Sequence, residues 1–358
     1  MHHRIGFAVG AVSLAFAVVT SPALAAPDLG AAPAAPGPPG PAPDTTSGST
    51  AESGAERVSL RAGALPPQQP SQSRPLIAVA HRGASGYAPE NTLAAIDEAY
   101  RLGAETVELD VQLTSDDRLV LMHDTRLDRT TDVAEVFPGR APYDVADFSL
   151  AEIRRLDAGS FFDEEFAGEP VPLLSEALDR LHAHGMNLLL EVKEPELYPG
   201  IEHQIAVELA RRPQWLVPNA PGEPHRIVVQ SFDWDSTRVS KELLPSVPHA
   251  LLGRVPEDEI DQYDWAHMIN PNHTTIDADY VGEVHDAGME IMPYTINDPA
   301  VMGRVLEMGT DGFITDFPDV GRQAIDDFLA GTSAAARGHT EEQAAEQTAE
   351  QADEPVLN

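Results

Sequence analysis

The stretch LIAVAHRGASGYAPENTLAAIDEAYRLGAETVELDVQ (residues 76–112) contains a strand, a helix and a second strand in succession. The apolar runs 76–80 and 106–112 have the length and composition of β-strands. Between them, 92–102 repeats apolar residues at the spacing of an amphipathic helix. Repeated units of this kind build a parallel sheet with helices packed on it.

The same alternation of strands and helices continues to residue 330. Further strands are predicted at 187–192, 226–230, 250–252, 267–269, 290–293 and 312–314. Further helices are predicted at 175–184, 201–211, 235–244, 277–286 and 299–308. Eight strands with helices in most of the gaps predict an α/β fold, a (β/α)₈ TIM-type barrel that forms a single domain over 76–330. A doubly wound open sheet is the competing architecture.

The first 25 residues, 1–25, resemble a secretory signal peptide. Arg4 precedes an apolar run over 5–20, and Ala23 and Ala25 supply small side chains at the cleavage site. The apolar run is shorter than the roughly 20 residues that a spanning helix needs, so no stable membrane insertion is expected after cleavage. We therefore expect a secreted protein, extracellular or associated with the cell wall.

Both flanks of the predicted barrel have compositions that disfavour a packed core. Residues 26–75 are rich in Pro, Gly, Ala and Ser, which predicts a linker. Residues 331–358 form an acidic tail that is predicted to be flexible. The chain has no cysteine and therefore no disulfide framework.

The formal net charge of −35 belongs to the predicted barrel. Residues 1–74 are balanced, with four Arg and four acidic residues, and the tail contributes −5 from one Arg and six acidic residues, which leaves −30 on residues 75–330. So acidic a domain repels nucleic acid and anionic lipid, and it attracts divalent cations. No nucleic-acid partner is expected, although much of this charge also fits a surface adapted to solubility.

Carboxylates alternate with apolar residues in two of the predicted strands. Because successive side chains of a strand point to opposite faces, Glu108, Asp110 and Gln112 share one face, and Glu191 and Lys193 are arranged in the same way on another strand. Inward carboxylates near the carboxyl ends of barrel strands lie at the mouth, where such folds carry out chemistry. Three carboxylates suit a hard cation, Mg²⁺ or Ca²⁺, better than zinc.

A lysine and two histidines accompany these carboxylates. Lys193 is one of only two lysines against 21 arginines, which indicates a position that needs a compact ammonium, such as one that binds a phosphate oxygen. His81 and His123 each follow a strand-like run, 76–80 and 119–122. Imidazole, with an unperturbed pKa of about 6.5, can act as acid or base near neutrality. The pair therefore predicts acid–base catalysis beside a cation.

These residues belong to a series of short motifs in a fixed order along the chain. The motifs are His81-Arg82-Gly83, Pro89-Glu90-Asn91-Thr92, Glu108-Leu109-Asp110, His123-Asp124, Leu127-Asp128-Arg129-Thr130-Thr131, Pro172-Leu173-Leu174-Ser175-Glu176, Glu191-Val192-Lys193, Gln230-Ser231-Phe232 and Gly312-Phe313-Ile314-Thr315-Asp316-Phe317-Pro318. Any one of them alone would mean little. Together they resemble the glycerophosphodiester phosphodiesterase family.

The resemblance implies a TIM-type barrel that hydrolyses glycerophosphodiesters to sn-glycerol 3-phosphate and an alcohol, with one divalent cation, Ca²⁺ or Mg²⁺. The implied roles are metal binding for Glu108, Asp110 and Glu191, acid–base catalysis for His81 and His123, and phosphate binding for Arg82 and Lys193. The substrate is then a small glycerophosphodiester that undergoes in-line attack at phosphorus.

Glu90 and Tyr294 are two further positions expected at the site. Glu90 either lies near the metal or caps the following helix and orients His81 or Arg82, and the second, supporting role is the expected one. Tyr294 stands in Tyr294-Thr295-Ile296-Asn297, where relatives usually carry Trp-Thr-Val-Asn, and is expected to form an aromatic wall of the substrate site.

The sequence leaves several alternatives open. Cleavage of choline phospholipids, as in the related sphingomyelinase D toxins, would require an apolar or basic rim, which the acidic charge disfavours. A non-catalytic protein that binds phosphodiesters would be expected to have lost some of the motif residues. The sequence does not distinguish water from the glycerol 2-hydroxyl as the nucleophile, the acid from the base histidine, or one leaving alcohol or oligomeric state from another.

Overall fold

Strands and helices alternate along residues 74–332, which are the residues that the computed structural model describes. The strands are β1 (Ile77–Ala80), β2 (Thr106–Leu113), β3 (Leu119–Leu121), β4 (Asn187–Val192), β5 (Ile227–Ser231), β6 (His249–Leu252), β7 (Met268–Asn270), β8 (Glu290–Ile291) and β9 (Gly312–Thr315). The helices are α1 (Leu93–Arg101), α2 (Val133–Val136), α3 (Leu150–Ile153), α4 (Leu174–His184), α5 (Ile201–Ala210), α6 (Trp234–Leu243), α7 (Ala278–Asp286), α8 (Pro299–Glu307) and α9 (318–332). The predicted signal peptide, nearly all of the linker and most of the tail lie outside the described residues.

Eight of the strands form one parallel sheet that curves back on itself. Neighbouring strands follow the order β8-β7-β6-β5-β4-β2-β1-β9, and every pair in this order is parallel. The two ends of the order meet through backbone hydrogen bonds from Asp311 to Ile291 (3.1 Å) and from Ile314 to Pro293 (2.9 Å). The predicted (β/α)₈ TIM-type barrel is confirmed, and the open sheet is excluded.

The strand-like run before His123 does not join the barrel. It forms β3, which pairs antiparallel with β2 after the tight turn 114–118. The connection from β3 to α4 contains α2 and α3 and has a hydrophobic cluster of its own. Buried members of this cluster are Val120, Met122, Leu127, Val133, Val145, Phe148, Ile153, Leu156, Ala158 and Val171. This packed connection holds the segment with His123 at one end of the barrel.

Apolar side chains fill both the barrel and the space between the sheet and its helices. Leu109, on the outward face of β2, is fully buried against the layer formed by α1 and α4. Complete burial of such a side chain contributes about 1.5–3 kcal/mol. The barrel interior is filled by Val79, Leu189, Val228, Ala250, Met268, Met292 and Ile314. The alternation predicted for β2 and β4 is therefore present: apolar groups face the helices, and Glu108, Asp110 and Glu191 lie on the inward face.

Candidate active site

Three buried carboxylates meet at the carboxyl ends of β2 and β4. Asp110 and Glu191 are direct neighbours in the parallel register of the two strands, and Glu108 lies on the same face two residues before Asp110. One carboxylate oxygen from each lies within 4.8 Å of the others. The sequence predicted this meeting from strand periodicity and the placement of both strands in one barrel.

The carboxylate cluster is not electrostatically satisfied by the protein alone. Burial, followed by repulsion from Asp110 and Glu191, raises the pKa of Glu108 well above its ordinary value. Burial and Asp110 also raise the pKa of Glu191 to about 7. Glu108 Oε1 and Asp110 Oδ1 are buried without a hydrogen-bond partner. Because unpaired buried anionic oxygens are costly, and because carboxylates are the preferred ligands of hard cations, the cluster fits a divalent cation.

Two cationic side chains border the cluster. The ammonium of Lys193 contacts Glu191 and lies 3.8 Å from Asp110 Oδ1. Arg82 donates its backbone N–H to Glu108 Oε2 (2.9 Å), and its Nε lies 3.5 Å from Asp110 Oδ2. Burial would raise the pKa of Asp110, but the charges of Lys193 and Arg82 outweigh it and the pKa is lowered. Anionic and cationic groups thus alternate within one small volume.

The turn after β1 has the local structure needed to bring Arg82 to the cluster. Arg82 has a positive φ of 55°, and the next residue, Gly83, has a φ of 85°. A side chain at Gly83 would place its Cβ 2.5 Å from that of Ala95, so glycine allows the turn to pack on α1. Thr92 begins α1 as its N-cap, since Thr92 Oγ1 accepts a hydrogen bond from Ala95 N (3.1 Å).

Glu90 and Asn91 support the charged groups from the loop before α1. Asn91 donates to Asp110 Oδ2 (2.8 Å) and accepts from the Asp110 backbone N–H (3.0 Å). Glu90 accepts from Arg82 (2.9 Å) and, through both oxygens, from Arg129 (2.7 and 2.8 Å). The N-cap of α1 is Thr92, so the expected capping by Glu90 is wrong, whereas the expected contact with Arg82 is present.

Each of the two histidines is held by an aspartate through Nδ1. His81 Nδ1 lies 2.7 Å from Asp316 Oδ1, and His123 Nδ1 lies 2.7 Å from Asp124 Oδ1. In both rings Nε2 is the nitrogen left to exchange a proton with a ligand. Burial, together with the nearby cations, lowers the pKa of His123 although Asp110 and Asp124 oppose this.

The two aspartates differ in their other partners. Asp316 accepts from Ser85 Oγ (3.0 Å) and from Asn297 Nδ2 (2.6 Å), which are neutral donors. Asp124 instead forms an ion pair with Arg129, which also binds Glu90. Both aspartates and Arg129 lie within the sequence motifs, but neither strand periodicity nor the family resemblance gave them a role. The adjacency of β1 and β9, with Ala80 opposite Thr315, would have placed the next residues of the two strands, His81 and Asp316, side by side.

Gln112 shares the inward face of β2 but supports a loop. Its amide donates to the backbone carbonyls of Met122 (2.7 Å) and Asp124 (2.8 Å), and its oxygen accepts from Tyr198 Oη (2.6 Å). These bonds fasten the segment that contains His123 to the strand that contains the carboxylates.

Aromatic rings form one wall beside Lys193. The Tyr294 and Phe232 rings meet edge to face, with centroids 6.0 Å apart, and Lys193 Nζ lies 5.8 Å from the Phe232 centroid. Tyr294 is partly buried, whereas Phe232 is 56% exposed. Phe232 lies in the Gln-Ser-Phe motif, and sequence analysis assigned it no role.

Comparison with known proteins gives one consistent result. Residues 81–320 match the model of the glycerophosphoryl diester phosphodiesterase family. The chain is 34% identical over 262 residues to a glycerophosphodiester phosphodiesterase of Bacillus subtilis (strain 168), a match that covers 68% of this chain and 85% of the relative. It is 35% identical over 247 residues to one from Caldanaerobacter subterraneus subsp. tengcongensis, covering 68% of this chain and 95% of the relative.

A solved structure also has this fold. It is an Oleispira antarctica phosphodiesterase in complex with the product sn-glycerol-3-phosphate, with a TM-score of 0.61 and 30% sequence identity. The similarity covers 70% of this chain and 96% of that one.

Proposed function

The chain belongs to the glycerophosphoryl diester phosphodiesterase family, and from this premise we propose that His81 and His123 carry out acid–base hydrolysis of glycerophosphodiesters beside a divalent cation. The chain is a phosphoric diester hydrolase, and the products are sn-glycerol 3-phosphate and an alcohol. The observation that supports this mechanism best is the meeting of three buried carboxylates, two cations and two aspartate-bound histidines at one end of the barrel.

Glu108, Asp110 and Glu191 would hold the cation, either Ca²⁺ or Mg²⁺. When bound, it would act as a Lewis acid that stabilises negative charge on the phosphoryl oxygens. The unpartnered oxygens of Glu108 and Asp110 support this assignment, because oxygen ligands without another partner are what a hard cation requires.

Arg82 and Lys193 would bind the phosphate of the substrate. The Lys193 ammonium acts as a compact point charge, and the Arg82 guanidinium presents several donors in a fixed plane. Glu90 holds one edge of that guanidinium, so its supporting role is to orient Arg82. Tyr294 would border the substrate as part of the aromatic wall.

The two histidines would move the protons. One Nε2 takes the proton of the nucleophile, water or the glycerol 2-hydroxyl, and the other returns a proton to the leaving alkoxide. Asp124 and Asp316 would fix the orientation and tautomer of the rings, since each accepts the Nδ1 proton.

The proposed activity is tested by incubation with glycerophosphocholine and measurement of glycerol 3-phosphate in a coupled dehydrogenase assay. We expect product release that falls to background after treatment with a chelator and returns when Ca²⁺ or Mg²⁺ is added. Choline release from sphingomyelin vesicles, with no reaction of glycerophosphocholine, would support the sphingomyelinase D-like alternative. Binding of glycerophosphocholine without product from either substrate would support the non-catalytic binding protein.

We also propose that the chain is exported, on the basis of the signal-like sequence of residues 1–25. Within residues 74–332, no helix combines the length and the apolar character needed to cross a bilayer. Expression of the full chain in a secreting host is expected to give protein outside the cell that begins at Ala26. N-terminal sequencing tests this, and recovery of a chain that still begins at Met1 would contradict it.

A further inference from the structure

A cavity of about 860 Å³ opens beside Glu191 at the mouth of the barrel. Its lining continues from Glu191 and Phe232, which border the phosphate site, along the beginning of α6 to the turn around Tyr263 and Trp265. The cavity therefore adjoins the proposed reaction centre at Glu191 and at the Phe232 ring, whose centroid lies 5.8 Å from Lys193 Nζ. A diester whose phosphate contacts Lys193 could extend one of its two alcohol groups into it.

The cavity wall has far more negative than positive charge. Beyond Glu191 it contains four further carboxylates, from Glu194, Glu196, Asp233 and Asp235, and a single arginine. The phosphate itself would be repelled by such a wall, so it must remain on the side of Arg82 and Lys193. An alcohol with a positive charge would gain from the same carboxylates, because the field is strongest inside a concave surface.

Aromatic rings line the same cavity. Trp234 and Tyr263 meet edge to face with centroids 5.1 Å apart, and Tyr263 and Trp265 are 6.5 Å apart. The indole N–H of Trp234 donates to the Leu252 carbonyl (2.9 Å), which fixes that ring. Arg238 already lies over the Trp265 ring, 5.8 Å from its centroid, so an ammonium group would use the faces of Trp234 and Tyr263 for cation–π attraction.

We propose that this cavity is a subsite for an alcohol with an ammonium group, so that the chain prefers glycerophosphodiesters of choline or ethanolamine to those of glycerol or inositol. This inference rests on the proposed function and adds a substrate class to it. A neutral polyol could stack on the aromatic rings but would gain little from four carboxylates. An anionic alcohol would be repelled by them.

The first test compares kcat/KM for the glycerophosphodiesters of choline, ethanolamine, glycerol and inositol, with release of glycerol 3-phosphate as the common measurement. At low ionic strength we expect the two ammonium substrates to be favoured by about tenfold. The preference should shrink as salt is added, because screening weakens the carboxylates of an open cavity. Equal kcat/KM for all four diesters would overturn the subsite while leaving the proposed function intact.

A triple variant that neutralises three carboxylates of the cavity, together with a matched control, tests whether the cavity causes the preference for ammonium substrates. Glu194→Gln, Glu196→Gln and Asp235→Asn together remove three exposed carboxylates, and Asp233 is left in place because it caps α6. The control variant, Asp279→Asn, Glu283→Gln and Asp286→Asn, makes the same charge change at exposed positions of α7. We expect the cavity variant to lose most of the preference and the control to keep it. The reverse result, or equal loss in both, would overturn the proposal.

Tryptophan fluorescence tests the subsite without catalysis. The chain has three tryptophans, of which Trp234 and Trp265 line the cavity and Trp215 is fully buried elsewhere. Choline chloride is expected to change the emission saturably, whereas glycerol or an equal concentration of NaCl is not. A protein that hydrolyses the diesters but shows no choline-dependent change would lack the subsite. A protein that responds to choline but releases no glycerol 3-phosphate would contradict the proposed function instead.

Discussion

Substitution of either histidine, His81→Ala or His123→Ala, is expected to lower kcat by about 10²–10⁴-fold, the range that positioned acid–base groups contribute. Each ring is fixed by an aspartate through Nδ1, so its removal deletes a proton carrier without disturbing the carboxylate cluster or the two phosphate-binding cations. KM should therefore change little. Steady-state kinetics on glycerophosphocholine measures both constants.

His203→Ala serves as the matched control for these variants. His203 is exposed on α5 and lies outside the site, so this substitution is expected to leave kcat unchanged. Thermal melts of all three variants should agree with that of the unmodified chain, which separates lost chemistry from lost folding. Near-normal kcat in either the His81 or the His123 variant would remove that residue from the mechanism.

The course of a single turnover distinguishes the two candidate nucleophiles. If the glycerol 2-hydroxyl attacks first, the two histidines form a cyclic phosphate with release of the alcohol and then open it with water in exchanged roles. Rapid quenching of the reaction of the unmodified chain should then trap the cyclic product, which ³¹P NMR resolves from glycerol 3-phosphate. If water attacks directly, no cyclic product should form.

Strand periodicity was sufficient to predict the carboxylate cluster. The side-chain period of a strand is two, so one assignment of 106–112 placed Glu108 and Asp110 on the same face. The repeated strand–helix units then predicted a barrel, whose mouth collects residues from the carboxyl ends of all its strands. The meeting of Glu191 with Asp110 follows from those two facts, because β2 and β4 are neighbours in the barrel.

Of the groups that orient the histidines, Asp316 follows only when closure of the predicted barrel is added to strand periodicity, and Arg129 does not follow at all. Asp316 reaches His81 only because the last strand closes the barrel against the first, and that contact spans 235 positions of the chain. Arg129 lies in the irregular connection after β3, where no periodicity fixes the direction of a side chain. The sequence also could not predict that β3 pairs antiparallel with β2, since a short apolar run has the same pattern in either orientation.

The second large effect concerns folding in the absence of the cation. In the folded protein the pKa values of Glu108 and Glu191 are raised, that of Glu191 to about 7, whereas in the unfolded chain both are ordinary. At these two carboxyl groups the folded state therefore binds protons more tightly than the unfolded chain between the ordinary and the raised pKa. The resulting contribution to stability is complete below the ordinary carboxyl pKa and is lost as the pH rises through the raised pKa. Asp110, whose pKa is lowered, is ionised in both states above its ordinary pKa and adds no pH dependence in this interval.

His249 and His267, whose pKa values are lowered by burial to about 4, change stability in the opposite direction over the same interval, so the contribution of the cluster is measured against the variant Glu191→Gln. Between about pH 5 and about pH 8 we expect the chelator-treated chain to lose stability relative to that variant, on the order of 2 kcal/mol. Added Ca²⁺ or Mg²⁺ should raise Tm most at the high end, because there the cation binds the carboxylates without displacing protons. Glu191→Gln removes one of the two titrating groups and should flatten the cation-free profile, whereas Glu283→Gln on the surface of α7 should not. Differential scanning calorimetry measures the Tm of the unmodified chain with and without the cation, and of the two variants without it. If the cation-free Tm falls no more steeply with pH in the unmodified chain than in Glu191→Gln, the three carboxylates do not share one buried site, because burial and the charge of Asp110 are what raise the pKa of Glu191.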